Sequence, residues 1–419
     1  MLLMDHKFCN NLGCIAMDSI LAADVGGTNT RVLLYAVGED DLRQGLQPGK
    51  KAPGTLVLSK RYMNQDFGSF IEIIESFLKE ANMQKTPTTA CLAVAGPVAG
   101  DKVVMTNRGN WTIEAKTISM HFGIPRVRLV NDFLSVGFGI LTLDKEKDCK
   151  CLQSGQHDAR SPIACIGAGT GLGECFLTPH PEGNDYECFP SEGGHIDFAP
   201  RNAVEVGLQD FLKLKFQQKN RISVERVVSG TGLVNVYEYL ASIRPRDVDK
   251  KIQAELDAAG DLKGAVIAKH KENALCRETM RIFATAYGAE AGNICLKLLP
   301  RGGLFLTGGL TPKNLDLIAE ENGPFMQAML DKGRVSGMLD SVPVYAVLAE
   351  DLGERGAHRV AFSDYMHLSA ALGVHDTKTI SSVSTKSTSL DVSSMLTAGA
   401  LIGMGVSLGY LLTGKRLNK

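Results

Sequence analysis

An apolar strand, a glycine-rich turn and a returning strand occur twice in this 419-residue chain, and that repetition constrains its fold more than any other feature. The first copy runs from Ile20-Leu21-Ala22-Ala23-Asp24 through Val25-Gly26-Gly27-Thr28-Asn29 to Arg31-Val32-Leu33-Leu34-Tyr35. The second runs from Pro162–Ile166 through Gly167-Ala168-Gly169-Thr170-Gly171 to Glu174–Thr178. Each reads as a hairpin, and the echo points to a duplicated fold. Thr55–Tyr62 continues the first hairpin as a third strand. The spacing of Phe67, Phe70, Ile71, Ile74, Phe77 and Leu78 predicts an amphipathic helix over Phe67–Ala81, followed by a buried strand at Ala90–Ala95. A second set of elements follows Asp132, with helices at Ala203–Gln217 and Ala274–Leu299 and strands at Gly303–Leu306 and Pro343–Leu348. The expected organisation is a small α/β lobe over 19–142, completed by about 353–375, and a large α/β lobe over 143–352.

The ends read differently. Residues 1–18 form an N-terminal extension without the basic start and continuous apolar middle of a secretory signal. Residues 376–394 are a linker rich in Ser and Thr, and 395–419 a hydrophobic tail. Within that tail, 395–413 carries no charge and is closed by Lys415 and Arg416. As a helix it would span about 28 Å, close to the roughly 30 Å of a bilayer's hydrocarbon core. The expectation is a tail anchor to an organelle membrane, with the body of the chain in the cytoplasm; a helix packed on that body is the alternative.

Composition removes several classes of function. Lys plus Arg number 45 against 46 Asp plus Glu, so there is no excess charge to attract nucleic acid. The ten Cys lie mostly in apolar runs, as reduced, core-filling thiols do. Cys149 and Cys151 are too closely spaced for a zinc ribbon and have no second pair, so no zinc is expected.

The first turn places Gly26 and Gly27 where backbone amides can approach an anion, Thr28 and Asn29 as side-chain donors, and Asp24 where it can orient hydrated Mg²⁺. Gly169-Thr170-Gly171 and Gly308-Gly309 supply two further close-approach turns, as a nucleotide requires. Neither a Walker nor a Rossmann pattern is present. Asn131-Asp132 ends the apolar run Val127–Val130; a carboxylate there suits a general base, and a helix N-cap is an equal reading. Glu192, His195 and Glu225 add hydrogen-bonding groups of the kind a polyol would meet, although His195 read alone is equally a core histidine.

These segments, with Ser191-Glu192-Gly193-Gly194-His195-Ile196-Asp197 and Glu225-Arg226-Val227-Val228-Ser229-Gly230, resemble the bacterial-type glucokinase family in order from about Ser19 to Gly373. The resemblance implies a two-lobed, actin-like (ribonuclease H-like) α/β ATPase fold with an interlobe cleft. It implies transfer of phosphate from ATP with Mg²⁺ to glucose, Asp132 being the base and Asn131, Glu192, His195 and Glu225 bonding to the sugar. Asn107, in a Thr-Asn segment ahead of Trp111 that is one residue longer than the family's, is a further sugar contact by the same resemblance. The related repressor/kinase family carries a Cys-x-Cys-Gly zinc cluster after its Glu-x-Gly-His, which Phe198-Ala199-Pro200-Arg201 replaces here. A kinase for another hexose and a non-catalytic sugar sensor are the rival functions; a homodimer is admitted as a quaternary state.

Overall fold

Alternation along β1 (Asp18–Val25) sends Ile20 and Ala22 to one face and Leu21 and Ala23 to the other, and all four are buried. A strand apolar on both faces belongs in the middle of a covered sheet. β1 pairs antiparallel with β2 (Asn29–Val37), which pairs with β3 (Thr55–Met63), and parallel with β4 (Thr89–Val94). β4 pairs parallel with β5 (Arg126–Asn131), giving the order β3-β2-β1-β4-β5. The computed structural model describes residues 18–105, 111–181 and 185–373; Asn107, nearly all of the N-terminal extension, the linker and the hydrophobic tail lie outside them.

A second sheet contains β6 (Cys149–Gln153), β7 (Ile163–Ala168), β8 (Leu172–Pro179), β9 (Tyr186–Ser191), β10 (Gly303–Thr307) and β11 (Val344–Val347). Its order is β9-β8-β7-β10-β11-β6. The first five positions repeat the order and directions of the first sheet: two antiparallel pairings, then two parallel ones. The echo between the two glycine turns therefore extends to whole sheets, with β6 added as an antiparallel edge.

Local chemistry explains where the sequence-based boundaries move. The helix expected from Phe67 begins at Phe70, as α1 (Phe70–Ala81). Ser69 Oγ accepts from Glu72 N while the Glu72 carboxylate accepts from Gly68 N at 2.9 Å, two bonds that fix the first turn. Phe67 instead meets Tyr62 edge-on at 5.5 Å. β6 and β9 have no clear apolar pattern. Both are edge strands, and Pro190 inside β9 lacks the N–H that a central strand needs. α2 (Asp132–Ile140) was read only as a potential N-cap. α3 (Ala203–Lys215) matches its expectation, as does α5 (Ala274–Leu298). α4 (Gly230–Ile243) starts where the Glu225–Gly230 segment ends, with Ser229 as its N-cap. Among the described residues no helix is long and apolar enough to cross a membrane. The eight described cysteines are free thiols, seven of them buried.

The last described helix, α6 (Leu352–Ala371), returns to the first sheet, where Ala357, Ala361 and Phe362 join Ile20, Ala22, Cys91 and Ala93 in one core. Arg128 reaches Asp364 at 2.6 Å, and Thr89 Oγ1 donates to Ala361 O at 2.8 Å. His358 stacks on Tyr35 at 3.6 Å, and burial lowers its pKa to about 3, so it packs as a neutral ring. α6 also lies tight against α2. Ser135 Oγ donates to Gly353 O at 2.7 Å, a Cβ at Gly356 would stand 1.7 Å from Ser135 O, and one at Gly139 would stand 2.3 Å from Leu352 O.

Gly356→Ala should therefore push α6 off α2 and cost about 1–3 kcal/mol, the usual penalty for overpacking. Thermal unfolding checks it, with Gly337→Ala as a control whose added methyl would meet only Asp340 Oδ2, at 3.9 Å.

Candidate active site

The parallel pairings β1–β4–β5 align Val25 with Val94 and Val94 with Asn131. The turn after β1 and the start of α2 thus leave the same edge of the first sheet, the carboxyl end of its strands, where open α/β sheets place ligands. Gly26 N donates to Asn29 O at 2.9 Å to close the turn. Asn64, fully buried just after β3, holds it from behind: its Nδ2 donates to Gly26 O at 2.8 Å, its Oδ1 accepts from Thr30 Oγ1 at 2.8 Å, and its N donates to Thr28 O at 2.9 Å. Asn64 was not foreseen, because nothing in Met63-Asn64-Gln65-Asp66 distinguishes a structural amide from an exposed one.

Asp24, Gly26, Gly27, Thr28, Asn29 and Glu354 line a cleft of about 600 Å³ over this turn. Burial raises the pKa of Asp24 to about 6, with the charges of Glu354 and Asp132 adding to it and those of Arg31 and Arg61 opposing. Arg31 bonds to Glu354 at 2.6 Å. Acidic groups that raise one another's pKa gain from a cation between them and a phosphate. Among the described residues no group of three or more His, Cys, Asp or Glu side chains could hold a metal directly. The donor set fits an Mg²⁺ kept mainly by water and phosphate oxygens, a hydrated ion that the Asp24 carboxylate would face.

Of the two readings of Asn131-Asp132, the helix N-cap is seen directly, at Asn131. Asn131 is the N-cap of α2: its Oδ1 accepts from Phe133 N at 2.9 Å and Leu134 N at 3.1 Å, and its Nδ2 donates to Gly96 O at 3.1 Å. Asp132 is the first helical residue. Burial raises its pKa, bonds to Phe133 N and Asn131 oppose the rise, and the charge of Glu192 adds to it. The next residue joins the two sheets. A Cβ at Gly167 or Gly173 would lie 2.8 or 2.2 Å from the Phe133 ring, so the ring fits only because both positions are glycine.

Glu192, His195 and Glu225 converge. His195 Nε2 lies 3.8 Å from Glu192 Oε2, and its Nδ1 lies 4.0 Å from Glu225 Oε1. His195 is half exposed rather than a core histidine, and the Glu192 side chain is 80% exposed, so the cluster is open to a ligand. Glu225 is the more enclosed; its Oε2 accepts from Leu172 N at 3.1 Å. Beneath them sits Glu174, also unforeseen although it stands as an acid inside an apolar strand. A Cβ on Gly193 would come within 1.7 Å of its Oε2, and burial with the charge of Glu290 raises its pKa to about 8.

The remaining glycine turns meet on the second sheet. Gly169 N donates to Gly171 O and Gly230 N to Gly169 O, both at 2.8 Å, which seats the start of α4 against the turn. Gly308, at φ +79°, lies so close that a Cβ would come 2.3 Å from Ala168 O. The structure thus gathers Gly169, Thr170, Gly171, Gly308 and Gly309 around the end of β7. Asp132 couples electrostatically to Asp24 on one side and Glu192 on the other.

A family model for glucokinases matches residues 21–364. A glucokinase of Trichormus variabilis is 39% identical over 353 residues, 81% of this chain and 98% of that protein. One from Synechocystis sp. is 37% identical over 358 residues, 81% of this chain and 96% of that protein. Among solved structures, a glucokinase from an Antarctic psychrotroph is similar with a TM-score of 0.66 and 27% identity, covering 83% of this chain and 99% of that one. A glucokinase from Balamuthia mandrillaris in complex with glucose has a TM-score of 0.66 at 20% identity, over 82% and 94% of the two chains. The architecture is the two-lobed, actin-like ATPase fold.

Asn64→Asp should keep the acceptor for Thr30 but set a second acceptor against Gly26 O, loosening the first turn. The expected outcome in calorimetry is nucleotide affinity lower by about tenfold, or ~1.4 kcal/mol, with glucose affinity unchanged.

Proposed function

The chain belongs to the glucokinase family, and on that premise we propose that it transfers the γ-phosphoryl group of ATP to the 6-hydroxyl of glucose, with Asp132 as the general base. The observation that carries this reading is the position of Asp132: partly buried, first in α2, and within electrostatic reach of both the phosphate turn and the sugar-side carboxylates. The relatives named glucokinase support glucose as acceptor. A solved sugar kinase of Streptomyces griseus, in complex with glucose and AMPPNP, has the same fold at 16% identity and a TM-score of 0.54.

In this mechanism Asp132 takes the proton of the 6-hydroxyl as its oxygen attacks phosphorus. Glu192, His195 and Glu225 bond to the other hydroxyls, and Asn131, whose oxygen caps α2, keeps one amide hydrogen for the sugar. The phosphates lie against the Gly26-Gly27 and Gly169–Gly171 turns; because the bonds that close these turns occupy the amides of Gly26 and Gly169, the Thr28 and Thr170 hydroxyls and the other turn amides are the donors, with Gly308-Gly309 behind them. Asp24 is the residue that would hold Mg²⁺ through water, where the ion would supply positive charge to the phosphates. Closure of the lobes on the sugar excludes the water that would otherwise accept the phosphate.

Asp132→Asn should lower turnover roughly 10²- to 10⁴-fold in a coupled assay while calorimetric glucose affinity survives. The parent enzyme's activity should fall as pH drops through the raised pKa of Asp132, above the ordinary aspartate range. Turnover near the parent rate would place the base elsewhere.

The segment 395–413 supports a second, separate reading as a tail anchor: it is uncharged, precedes Lys415 and Arg416, and begins beyond residue 364, where the family match ends. Cell fractionation should leave the full-length protein in the membrane pellet and a chain ending at Thr377 in the supernatant; equal recovery of both in the supernatant removes the anchor.

A further inference from the structure

A second cleft, of about 1110 Å³, opens on the large sheet away from the glycine turns. α2 separates the two regions: Asp132 stands at its first residue, whereas Ile140 at its last lines this cleft, about 12 Å along the helix. Ile140, Leu141, Ile163 and Phe305 give the cleft an apolar wall.

With its histidines neutral, the lining holds two cations and two carboxylates, but only the carboxylates are paired with charges elsewhere. The wall carries Lys145, His157, Arg160 and His180 against Asp144 and Asp185. Both acids are spoken for, Asp144 by Lys147 at 2.8 Å and Asp185 by Arg359 at 2.6 Å. Neighbouring Asp158 accepts from Arg160 N and Ser161 Oγ, each at 2.9 Å, and faces Arg301 at 4.0 Å. Among the described residues, none of the four basic side chains has a carboxylate at ion-pair distance. Lys145 instead lies over the rings of Tyr345 and Phe305, at 5.1 and 5.8 Å, where loss of water lowers its pKa. His180 Nδ1 is buried and has no hydrogen-bond partner among the described residues. A partly desolvated cation and an unpartnered ring nitrogen both gain from an anion that brings hydrogen-bond acceptors.

We propose that this cleft is a binding site for a small organic phosphate, with Lys145, Arg160 and His157 around the phosphate and the Phe305–Leu141 wall against an apolar body. The size fits a small molecule, within an order of the several hundred Å³ typical of such sites. Clustered donors with fixed apolar neighbours favour a phosphate ester over free inorganic phosphate, which would leave the wall uncovered.

The proposal does not depend on the kinase reading, and its test keeps the two apart. Phenyl phosphate is titrated into the full-length protein by calorimetry, at constant ionic strength, with glucose and a non-hydrolysable ATP analogue already saturating. Binding is expected under these conditions, at least tenfold weaker in K145E/R160E, and weaker for inorganic phosphate than for phenyl phosphate. The double variant should keep its glucose phosphorylation rate and its melting temperature, since both side chains are exposed. Absence of binding to the parent protein, or equal affinity in parent and variant, overturns the proposal. A milder pair, K145Q/R160Q, should give an intermediate affinity; no change with this pair also counts against the site.

Discussion

Everything at the candidate site depends on the register of backbone hydrogen bonds between parallel strands. Because Val25, Val94 and Asn131 share one level of the ladder, an anion turn and a helix bearing a carboxylate emerge side by side without any direct bond between them. The second sheet repeats the device, with Thr307 level with Gly167, so that two more glycine turns leave from one edge. Slipping either pairing by one residue would reverse the facing of every side chain beyond it. The fully buried runs of β4, β7 and β10 hold that register by making any slip expose a central strand.

The electrostatics follow from where those edges place acids. Asp24, Glu354 and Asp132 are drawn into partly buried positions, and each pKa is raised although Arg31 and Arg61 oppose the rise at Asp24 and Arg31 and Lys51 oppose it at Glu354. Glu192 and Glu225 stay more exposed and stand on either side of an imidazole. The site is therefore divided between a region short of positive charge, suited to a cation with phosphates, and a region rich in hydrogen-bonding capacity, suited to hydroxyls. Glu174 lies under the second region as a buried acid, and the two small residues above it, Gly193 and Gly194, are what allow the chain to pass.

The sequence made the turns and their spacing legible because glycine pairs after apolar strands leave few alternatives, and the strands came within a residue or two because β1, β4, β7 and β10 are apolar throughout. Edge strands escaped for the opposite reason: with one side unpaired, β6 and β9 tolerate lysine and proline that a central strand excludes. The glycine motifs and the Glu192–His195 block stand out in the sequence, but the residues that hold them in place do not. Asn64 and Glu174 act through contacts made by folding across 38 residues to Gly26 and from β8 to Gly193, and a single chain read in order carries no mark of either. Asn131 shows the limit most clearly, since a helix cap and a ligand contact would call for the same residue at the same place, and the structure shows the cap.

The ring of Phe133 between Gly167 and Gly173 has a consequence for how this protein can change over generations. Phe133 is distant in the chain from the hairpin that carries both glycines, yet all three occupy one volume, so none can drift alone: a methyl at either glycine meets the ring, and a smaller side chain at 133 leaves a void beside both strands. Their histories are bound together. A lineage that altered one would have to pass through a poorly packed intermediate at the very joint that orients Asp132, which makes these three sites, more than the exposed carboxylates, the ones where tolerated variation should come in matched sets.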